Sequence, residues 1–443
     1  MHYEVAVMNY PLFTAGRTGE DARALLLDAP AYFEHPHLPP ARTPVYIHIP
    51  FCDSLCDFCV YNRIAAPGRE ELVEEYWKAL LREIEWYADA PAVQGHPIGS
   101  VFIGGGTPTV LSASQLERLL QTVRSRFGLK SCEITVECNP LNASSDKLRA
   151  MRDNGVTRVS IGVQTFSDAM RRRLHIAKSG EDAAEWIERA KAFGFDDVSL
   201  DLMYGFPGVG ADALEDDLER ARSLGVGHVS VYRLTLFAYT KMYREMARAR
   251  QVSLPDEETS LRLFERAHRY LLSQGFALVS GQEYSKKGRT VRFWEDTYDG
   301  YGPNLALGVS SFGYLGGYCY QNESRVEDYI RAIALGRLPV ERMSHQITPE
   351  QLRERTVVMG LRRGKVSKAR FRRAFGAELT ETFAGPIGRL TRRGLLRDTP
   401  EELQLTEKGL FFQGNASVEF MESIFRRVSP LKKKMCIGSH TMP

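Results

Sequence analysis

Apolar and polar positions follow two alternating patterns from about residue 45 of the chain. Short apolar runs typical of buried parallel strands occur at 45–49, 100–105, 133–139, 158–164, 197–205 and 228–234. Apolar residues spaced as in amphipathic helices occur between them, at 70–90, 114–127, 181–194 and 212–225. This alternation predicts an α/β fold with a parallel sheet, arranged as an open doubly wound sheet or as a whole or partial barrel.

Residues with unusual chemistry stand at the carboxyl ends of these predicted strands. The second strand runs into the glycine-rich segment 104–109, the third ends at Glu137, the fourth ends at Gln164, and the fifth passes through Asp201. Because the carboxyl ends of parallel strands meet at one edge of a sheet or barrel, we expect these residues to share a ligand site.

Three cysteines follow the first predicted strand in the segment FCDSLCDFCVYNR, which spans residues 51–63. Cys52, Cys56 and Cys59 leave no fourth ligand nearby, whereas structural zinc needs four ligands and a catalytic thiol needs one cysteine with a base. Three thiolates can instead hold three irons of a [4Fe–4S] cluster and leave the fourth iron open to a small molecule. We therefore predict that these cysteines are the metal ligands and catalytic centre.

Composition limits the kind of protein this chain can be. With 58 basic and 55 acidic residues among 443, the charge is close to balanced, so we expect no nucleic-acid or membrane partner. The first ten residues, MHYEVAVMNY, do not resemble a signal peptide, and we expect a soluble cytoplasmic protein. A disulfide framework is not expected, because four of the seven cysteines are scattered singly: Cys132, Cys138, Cys319 and Cys436.

The cysteine loop and five further segments resemble a known family. The CxxxCxxC spacing, with the aromatic Phe58 before its last cysteine, resembles the radical S-adenosylmethionine (SAM) superfamily. The segments YIHIPFC, GGGTPT, SIGVQTF, DLMYGFPG and LGVSSFGYLGGYCYQN resemble its coproporphyrinogen III dehydrogenase (HemN-like) branch. This resemblance implies a partial (β/α)6 barrel. It also implies that SAM is cleaved by one electron to methionine and a 5′-deoxyadenosyl radical.

The resemblance also implies two SAM sites in the barrel. The residues that match contacts of the cluster-bound SAM are Tyr46, Gly105, Glu137 and Phe312. The residues that match the surroundings of a second SAM are Phe58, Gly106, Thr107, Gln164, Asp201 and Thr235. These roles suit the side chains, because carboxylates bind hydroxyl and ammonium groups and aromatic faces bind adenine or a sulfonium.

The chain continues beyond the barrel into a second predicted module. The segments from Thr348, a good N-cap residue, to a strand pair around DTPEE are typical of a winged helix, which we interpret as a lid or docking surface. We expect an N-terminal extension (1–44), a radical SAM barrel (45–340), a HemN-like C-terminal domain of winged-helix type (345–430) and a basic tail (431–443).

Departures from the family pattern distinguish its subfamilies. Porphyrinogen-oxidising members carry a fourth cysteine where this chain has Tyr61, and an arginine where it has Ile176, with Lys178 nearby. Haem-chaperone relatives show an HNxxYW element, and the matching stretch here begins with Arg289 and Thr290.

Two segments, 308–322 and 9–17, instead resemble class C methyltransferases and cyclopropanases of natural-product biosynthesis. We therefore expect methylation or cyclopropanation of an sp2 carbon in an unsaturated or heteroaromatic substrate, either a small molecule or peptide-linked. An electron donor such as flavodoxin or ferredoxin is expected. Two alternatives remain open: a tetrapyrrole enzyme, either a coproporphyrinogen III dehydrogenase or an anaerobic haem-degrading enzyme, and a haem chaperone.

Overall fold

A computed structural model describes residues 22–30, 35, 37–238, 240–249, 254–286, 289 and 291–423. The segment 9–17, the basic tail with Cys436, and Thr290 lie outside the described residues. Within the described part of the chain, no helix combines the length and the apolar character needed to cross a bilayer.

The strands are, in chain order, β1 (Thr43–Ile49), β2 (Phe51–Cys52), β3 (Ile64–Ala65), β4 (Ile98–Gly105), β5 (Glu133–Cys138), β6 (Arg158–Gln164), β7 (Asp197–Tyr204), β8 (His228–Arg233), β9 (Phe276–Ser280), β10 (Glu283–Lys286), β11 (Leu305–Leu307), β12 (Phe312–Leu315), β13 (Tyr318–Asn322), β14 (Val340–Met343), β15 (Lys365–Ser367), β16 (Leu396–Asp398) and β17 (Glu402–Leu405). The helices are α1 (Ala22–Leu26), α2 (Glu70–Asp89), α3 (Ala113–Arg126), α4 (Ser145–Asp153), α5 (Asp168–Arg173), α6 (Gly180–Ala192), α7 (Ala211–Ser223), α8 (Lys241–Ala249), α9 (Glu257–Ser273), α10 (Arg292–Thr297), α11 (Val326–Ala334), α12 (Pro349–Arg362), α13 (Lys368–Phe375), α14 (Leu379–Thr382), α15 (Ala384–Arg392), α16 (Glu407–Phe411) and α17 (Gln413–Val418).

The main sheet has the strand order β11-β1-β4-β5-β6-β7-β8-β10-β9. Its six predicted strands, β1 and β4 to β8, are neighbours in chain order and pair in parallel, which confirms the α/β fold with a partial (β/α)6 barrel. The sequence pattern missed the flanking strands: β11 pairs in parallel with β1, and β10 pairs antiparallel with β8 and β9.

The outer helices begin and end where local chemistry predicts. Ser112 and Ser179 form capping boxes at the starts of α3 and α6. Gly194 and Gly225 follow the last residues of α6 and α7 with φ of 76° and 67°, a conformation that glycine adopts without strain. The helices pack on the apolar strand residues and thereby fix where each strand ends.

Helix α10 closes the amino-terminal end of the barrel, which we call the floor. The Glu133 carboxylate, at the start of β5, accepts hydrogen bonds from the backbone N–H groups of Arg292 (3.1 Å) and Phe293 (3.2 Å). The buried Asp296 carboxylate accepts from Arg42 Nε (3.0 Å) and Ser100 Oγ (2.9 Å). The opposite end, which carries the cysteine loop, is called the mouth.

The C-terminal region has an apolar core of its own, which includes Val357, Phe371, Leu390 and Leu403. Thr348 caps α12 in a capping box, and β15, β17 and β16 form an antiparallel sheet beside α13 and α15. This is a helical domain with a short sheet.

Candidate functional site

The cysteine loop lies at the mouth, directly after β1. Cys52 ends β2, which pairs in parallel with β3 across the base of the loop. The Arg63 guanidinium donates hydrogen bonds to the carbonyl oxygens of Cys56 (2.5 Å), Cys59 (2.9 Å) and Tyr61 (3.3 Å). Arg63, which sequence reasoning missed, therefore stabilises the loop through three of its carbonyl oxygens.

The three thiols are close enough to interact electrostatically. Burial raises the pKa of Cys52 to about 12 and that of Cys56 to about 11, and neighbouring thiols add to both shifts. Burial also raises the pKa of Cys59. Across the described ranges, no three His, Cys, Asp or Glu side chains converge on a single metal ion. A [4Fe–4S] cluster does not require such convergence, because each cysteine binds a different iron, so this donor set fits a cluster.

A hydrogen-bonded chain connects β1 to the cysteine loop. Burial lowers the pKa of His48 to about 4, so its imidazole is neutral at pH 7. Its Nε2 lies 3.1 Å from the carbonyl oxygen of Asn62, which can only accept, so Nε2 carries the proton. Nδ1 then accepts from the Tyr46 hydroxyl at 3.0 Å. Asn62 in turn donates to Ser310 Oγ at 2.5 Å, which joins the loop that precedes Phe312.

The glycine-rich turn lets the backbone approach a carboxylate. The Gly105 N–H donates to Glu137 Oε2 at 2.8 Å, and a Cβ at Gly104 would lie 2.7 Å from the same oxygen. The backbone N–H groups of Gly106 and Thr107 bind carbonyl oxygens of Ile49 and Phe51, at 2.8 Å and 2.7 Å. The turn is thus held between β1 and β5, and its role in ligand binding stays a prediction.

Two buried carboxylates at the mouth, Glu137 and Asp201, form no ion pair with a described residue, although the charge of Arg158 acts on Asp201. Burial raises the pKa of Glu137 to about 8, and the charge of Asp201 adds to the shift. Burial and the charge of Glu283 raise the pKa of Asp201 to about 7. Of the ion pairs formed by described residues, none includes Glu137 or Asp201. Such groups are typical of sites that bind a charged ligand.

Gln164 occupies a strained position at the end of β6. Its φ is 66°, which is unusual for a residue other than glycine, and the N–H of Thr165 donates to the carbonyl of Val163 at 2.8 Å. A hydrogen bond between residues i and i+2, with a positive φ at the residue between them, defines the rare, strained form of the γ-turn. The Tyr232 hydroxyl donates to Gln164 Oε1, so Tyr232, which sequence reasoning missed, orients the predicted ligand residue.

The remaining predicted site residues lie in different surroundings. Phe58 packs with Ile176 against an apolar cluster that includes Met203 and Phe206. Phe312 is 44% exposed at the start of β12. Thr235 is exposed in the segment after β8, and its hydroxyl donates to the carbonyl of Arg233 at 3.3 Å.

Asp57, which lies between Cys56 and Cys59, connects the cysteine loop to the segment after α5 and to helix α8. Its carboxylate binds His175 Nδ1 at 2.7 Å and Lys241 Nζ at 3.1 Å, and its carbonyl accepts from the Met242 N–H at 3.0 Å. No sequence motif marks this group, because an aspartate in a loop resembles any solvated charge.

The stretch that replaces the HNxxYW element lies at the floor, opposite the cysteines. Arg289 donates to the carbonyl of Asp196 (2.7 Å) and to Asp197 Oδ1 (2.9 Å), at the start of β7. Phe293 packs inward against Phe102 and Trp294. These contacts stabilise the floor of the barrel.

Comparisons with known proteins agree with this geometry. Residues 46–221 match the Radical SAM superfamily, and residues 347–412 match the HemN C-terminal domain. The chain is 33% identical to Heme chaperone HemW of Bacillus subtilis (strain 168) over 82% of this chain and 95% of that protein. It is 29% identical to Anaerobilin synthase of Escherichia coli O157:H7 over 85% of this chain and 83% of that protein. The solved structure of coproporphyrinogen III oxidase (HemN) from Escherichia coli has a TM-score of 0.74, at 24% identity, over 87% of this chain and 91% of that one.

These relatives overturn the expected natural-product methyltransferase or cyclopropanase. The relatives that match most of the chain are named for haem, anaerobilin and coproporphyrinogen. The segment 308–322 was a poor guide to the substrate, because its backbone contacts stabilise the fold. The Gly308 N–H donates to the buried Glu83 (2.7 Å), and the Val309 N–H donates to the Tyr76 hydroxyl (3.0 Å).

The match to a full-length relative at 33% identity, the two matched regions and the shared fold agree. Proteins of the radical SAM superfamily use a [4Fe–4S] cluster and SAM, and the mouth offers the cysteines and carboxylates that such groups need. The chain therefore belongs to the radical SAM superfamily, within its HemN/HemW-like family.

Proposed function

We propose that this protein is a radical SAM enzyme that acts on a tetrapyrrole and is functionally closest to anaerobilin synthase, with haem as substrate. The observation that carries the proposal is that relatives covering 82% to 88% of the chain are all named for tetrapyrroles or their products. Three tetrapyrrole functions are represented among them, and the geometry of the site favours one.

The floor argues against a haem chaperone. Chaperone relatives carry a histidine and an asparagine where this chain has Arg289 and Thr290. The Arg289 side chain is engaged by Asp196 and Asp197, on the opposite side of the barrel from the cysteine loop. An arginine has no lone pair with which to bind haem iron, so Arg289 cannot be an iron ligand where the chaperone element has a histidine.

The mouth argues against oxidative decarboxylation of coproporphyrinogen. Ile176, where those enzymes carry an arginine, packs beside Phe58 and Met203 in an apolar cluster. Tyr61, where they carry a fourth cysteine, is 63% exposed and lies within electrostatic range of Cys59, Glu137 and Asp201. Ile176 carries no charge and is partly buried against this cluster, so position 176 cannot make the ionic contact that the arginine of those enzymes would make.

The residues of the mouth suit the groups that the family uses. Cys52, Cys56 and Cys59 would hold the cluster, and Glu137 with the Gly105 turn would hold the charged end of its SAM. When bound, the cluster and SAM supply one-electron cleavage of SAM to methionine and a 5′-deoxyadenosyl radical. The work of the chain is to bind, to orient and to exclude water from the mouth.

A second SAM site is part of the proposal. Gln164 ends β6, and Asp201 lies within the neighbouring strand β7, opposite Gly162. The Asp201 carboxylate has a raised pKa and forms no ion pair with a described residue. A cation such as the ammonium or sulfonium group of SAM would stabilise the ionised carboxylate. The same physical argument applies to Glu137, so two negative groups could each position one SAM.

Aromatic groups at the mouth suit a flat macrocycle. Tyr61 and Phe312 expose large aromatic surfaces, 63% and 44%, on segments that Asn62 joins through its bond to Ser310. Exposed aromatic faces favour planar apolar ligands, because stacking removes apolar surface from water.

An anaerobic turnover assay tests the proposal. Reconstituted protein is incubated with haem, SAM and a chemical reductant, and the haem absorption band and 5′-deoxyadenosine are followed together. We expect haem to be consumed only when SAM and reductant are both present, with 5′-deoxyadenosine rising in proportion. Coproporphyrinogen III, supplied in a parallel reaction, should be recovered unchanged.

Two outcomes would replace the proposal with an alternative. Tight binding of haem that is recovered intact, without haem-dependent 5′-deoxyadenosine, would identify a chaperone. Conversion of coproporphyrinogen III with loss of carbon dioxide would identify the oxidase.

A further inference from the structure

Part of the cysteine loop reaches the protein surface beside Cys56. Leu55 and Asp57 flank Cys56 in the chain, and the Leu55 side chain is 44% exposed. The Cys56 thiol is half-buried, whereas Cys52 is buried. An exposed apolar side chain therefore lies next to one of the predicted cluster ligands.

Asp57 connects two further elements to this part of the loop. Its carboxylate binds His175 Nδ1 at 2.7 Å and Lys241 Nζ at 3.1 Å, and both partners are exposed. Consecutive Cα atoms are only about 3.8 Å apart, so groups that contact Asp57 lie close to Cys56. The segment of His175 and helix α8 therefore flank the loop at this point.

The first of these elements is basic. The segment 172–178 contains no acidic residue, and its Arg172, Arg173 and Lys178 are exposed. The His175 N–H donates to the carbonyl of Arg172 at 3.2 Å, so Arg172 lies in the same turn as the imidazole that contacts the loop. This positive charge is local, because the whole chain has 58 basic and 55 acidic residues.

The arginine that precedes this segment does not belong to the surface. Arg171 is only 4% exposed, and it donates to the carbonyl oxygens of Val163 (2.8 Å) and Thr165 (2.9 Å), the residues that flank Gln164. Its guanidinium supports the backbone of the mouth. The next residue, Arg172, is the one that faces solvent.

Helix α8 adds positive charge on the other flank. Lys241, Arg244 and Arg248 are exposed and spaced three and four residues apart, which places them on one face of the helix. The one acidic residue of α8, Glu245, lies 3.6 Å from Lys241 Nζ. Three positive charges therefore accompany one negative charge on this helix.

The other carboxylates near this surface have partners in the chain. Asp168 accepts from the Gly180 N–H at 2.8 Å, and Asp182 lies 3.9 Å from Lys178 Nζ. Together with Asp57 and Glu245, these make four carboxylates beside six exposed lysine and arginine side chains. The surface therefore keeps a net positive charge, which attracts acidic partners over long range.

The position of this surface indicates what kind of partner it fits. Cleavage of SAM consumes one electron, which the cluster must receive from outside the protein. Electron-transfer proteins form small, transient interfaces in which complementary charges steer the two partners together. An exposed apolar side chain beside a cluster ligand, with basic elements on either side, has the apolar centre and polar rim of an interface.

We propose that this surface docks an acidic protein that delivers one electron to the cluster. We call it the electron-entry face and define it as Leu55, Arg172, His175, Lys241 and Arg248. The donor is oxidised by one electron and the cluster is reduced by one, and no bond forms or breaks in this step. This role rests on the assignment of the cysteines to a cluster under the proposed function, and not on the identity of the substrate.

Binding of flavodoxin, an acidic protein that transfers one electron, tests the electron-entry face. The dissociation constant is measured at low salt with reconstituted holoprotein, for wild type and for the double variant Arg172→Glu/Arg248→Glu. We expect the double variant to bind about tenfold more weakly or worse, because four units of charge are removed from the side that faces the donor. Added salt should reduce the difference, because it screens exposed charges.

Electron delivery is measured separately from binding. The initial rate of 5′-deoxyadenosine formation is determined with SAM, without haem, at a limiting concentration of reduced flavodoxin. We expect this rate to fall with the loss of binding in the double variant. Excess dithionite needs no docking surface, so with dithionite the final yield of 5′-deoxyadenosine should equal that of wild type at the same iron content.

A matched pair elsewhere on the chain controls for net charge. Arg397→Glu/Lys408→Glu changes two exposed residues of the C-terminal domain and alters the net charge by the same amount. This variant should bind flavodoxin as wild type does. If Arg172→Glu/Arg248→Glu takes up less iron, Arg172→Gln/Arg248→Gln replaces it, with an expected loss of binding of about threefold.

The outcomes separate failure of this role from failure of the function. No binding of flavodoxin to wild type, unchanged binding in the double variant, or an equal loss in the control pair would overturn the electron-entry face. A lower yield with dithionite at equal iron content would also overturn it, because the residues would then act on the loop itself. A wild-type protein that binds no iron would instead overturn the cluster assignment, and one that responds as expected but leaves haem intact would overturn only the substrate.

Discussion

The two ends of the barrel differ in the partners that they give to their carboxylates, although burial raises the pKa of Asp296 at the floor as well. At the floor, Asp197 pairs with Arg289, Asp296 accepts from an arginine and a serine, and Glu133 accepts two backbone N–H groups. At the mouth, Glu137 and Asp201 have raised pKa values, about 8 and about 7, and neither forms an ion pair with a described residue. Among the described residues, the floor carboxylates therefore have hydrogen-bond or ion-pair partners in the chain, whereas the two mouth carboxylates form no ion pair.

This difference distinguishes structural charges from functional ones. A carboxylate with hydrogen-bond or ion-pair partners stabilises the fold, whereas two neighbouring buried carboxylates with raised pKa values oppose folding when ionised, unless a ligand offsets their charge. SAM carries an ammonium and a sulfonium group and is thus the kind of ligand that would stabilise both. If this distinction is correct, substitutions at the floor should change mainly the stability of the fold, and substitutions at the mouth should change mainly SAM binding and cleavage.

The largest effect is expected from the cysteines. Replacing Cys52, Cys56 and Cys59 together with alanine should abolish iron binding, from about four irons per chain to none, because these three thiols would supply all of the protein ligands of the cluster. Iron analysis after anaerobic reconstitution measures this. As the matched control, Cys132→Ala, remote from the mouth loop in sequence, should keep its iron, and a triple variant that retained a cluster would refute the assignment.

The next largest effects should distinguish the roles of the two mouth carboxylates, Glu137 and Asp201. Glu137→Gln keeps an oxygen for the Gly105 N–H but loses the charge, and should lower 5′-deoxyadenosine formation by about 10- to 100-fold, the value of one charge-assisted hydrogen bond. Asp201→Asn should leave reductive cleavage within about threefold and instead weaken binding of a second SAM equivalent. Equal effects of both variants on both measurements would mean that the two-site division is wrong.

The raised pKa of Asp201 predicts a pH dependence of stability. Its folded pKa, about 7, lies above the usual value of 3.8, so the folded state binds more protons between these values. The contribution of Asp201 is therefore fully present below about pH 4 and is lost as the pH rises through 7. Urea unfolding of metal-free protein should show wild type losing stability relative to Asp201→Asn across this window; parallel curves would contradict the raised pKa.

The smallest effect is expected at the floor. Glu133→Gln should lower the free energy of unfolding by about 1 kcal/mol, because the two N–H groups at the start of α10 bind different carboxylate oxygens and an amide offers only one acceptor oxygen. SAM cleavage per folded molecule should not change. A loss of SAM cleavage with normal stability would show that the floor takes part in the chemistry and would contradict the distinction between the two ends.

Much of the barrel could be predicted because its signals are local. The predicted strand at 158–164 coincides with the observed strand Arg158–Gln164, and the helix predicted at 70–90 is observed at Glu70–Asp89. Buried parallel strands show as apolar runs, and capping residues mark helix ends without reference to the rest of the chain. The short flanking strand Leu305–Leu307 was missed because its pairing with β1 joins residues far apart in sequence.

The supporting residues of the site could not be predicted in the same way. Arg171 is the first of three consecutive arginines, and nothing in that run shows that this one is buried while the next is exposed. Tyr232 and His48 sit within apolar strand patterns, where they look like core residues. Their roles depend on which loops the fold brings over them.

The functional error also has a physical cause. The segment 308–322 was interpreted as a subfamily marker, but its backbone is held by Glu83 and Tyr76 from the first long helix. A segment constrained by packing reports the fold, and therefore the family, more than it reports the substrate.

One measurement compares the two ends of the barrel directly. The yield of 5′-deoxyadenosine is determined with and without haem for wild type, the mouth variant Glu137→Gln and the floor variant Asp296→Asn, each with the same iron content. The account predicts haem-stimulated yield in wild type and Asp296→Asn and its loss in Glu137→Gln. A Glu137→Gln protein that keeps the haem-stimulated yield while Asp296→Asn loses it would contradict the assignment of the chemistry to the mouth.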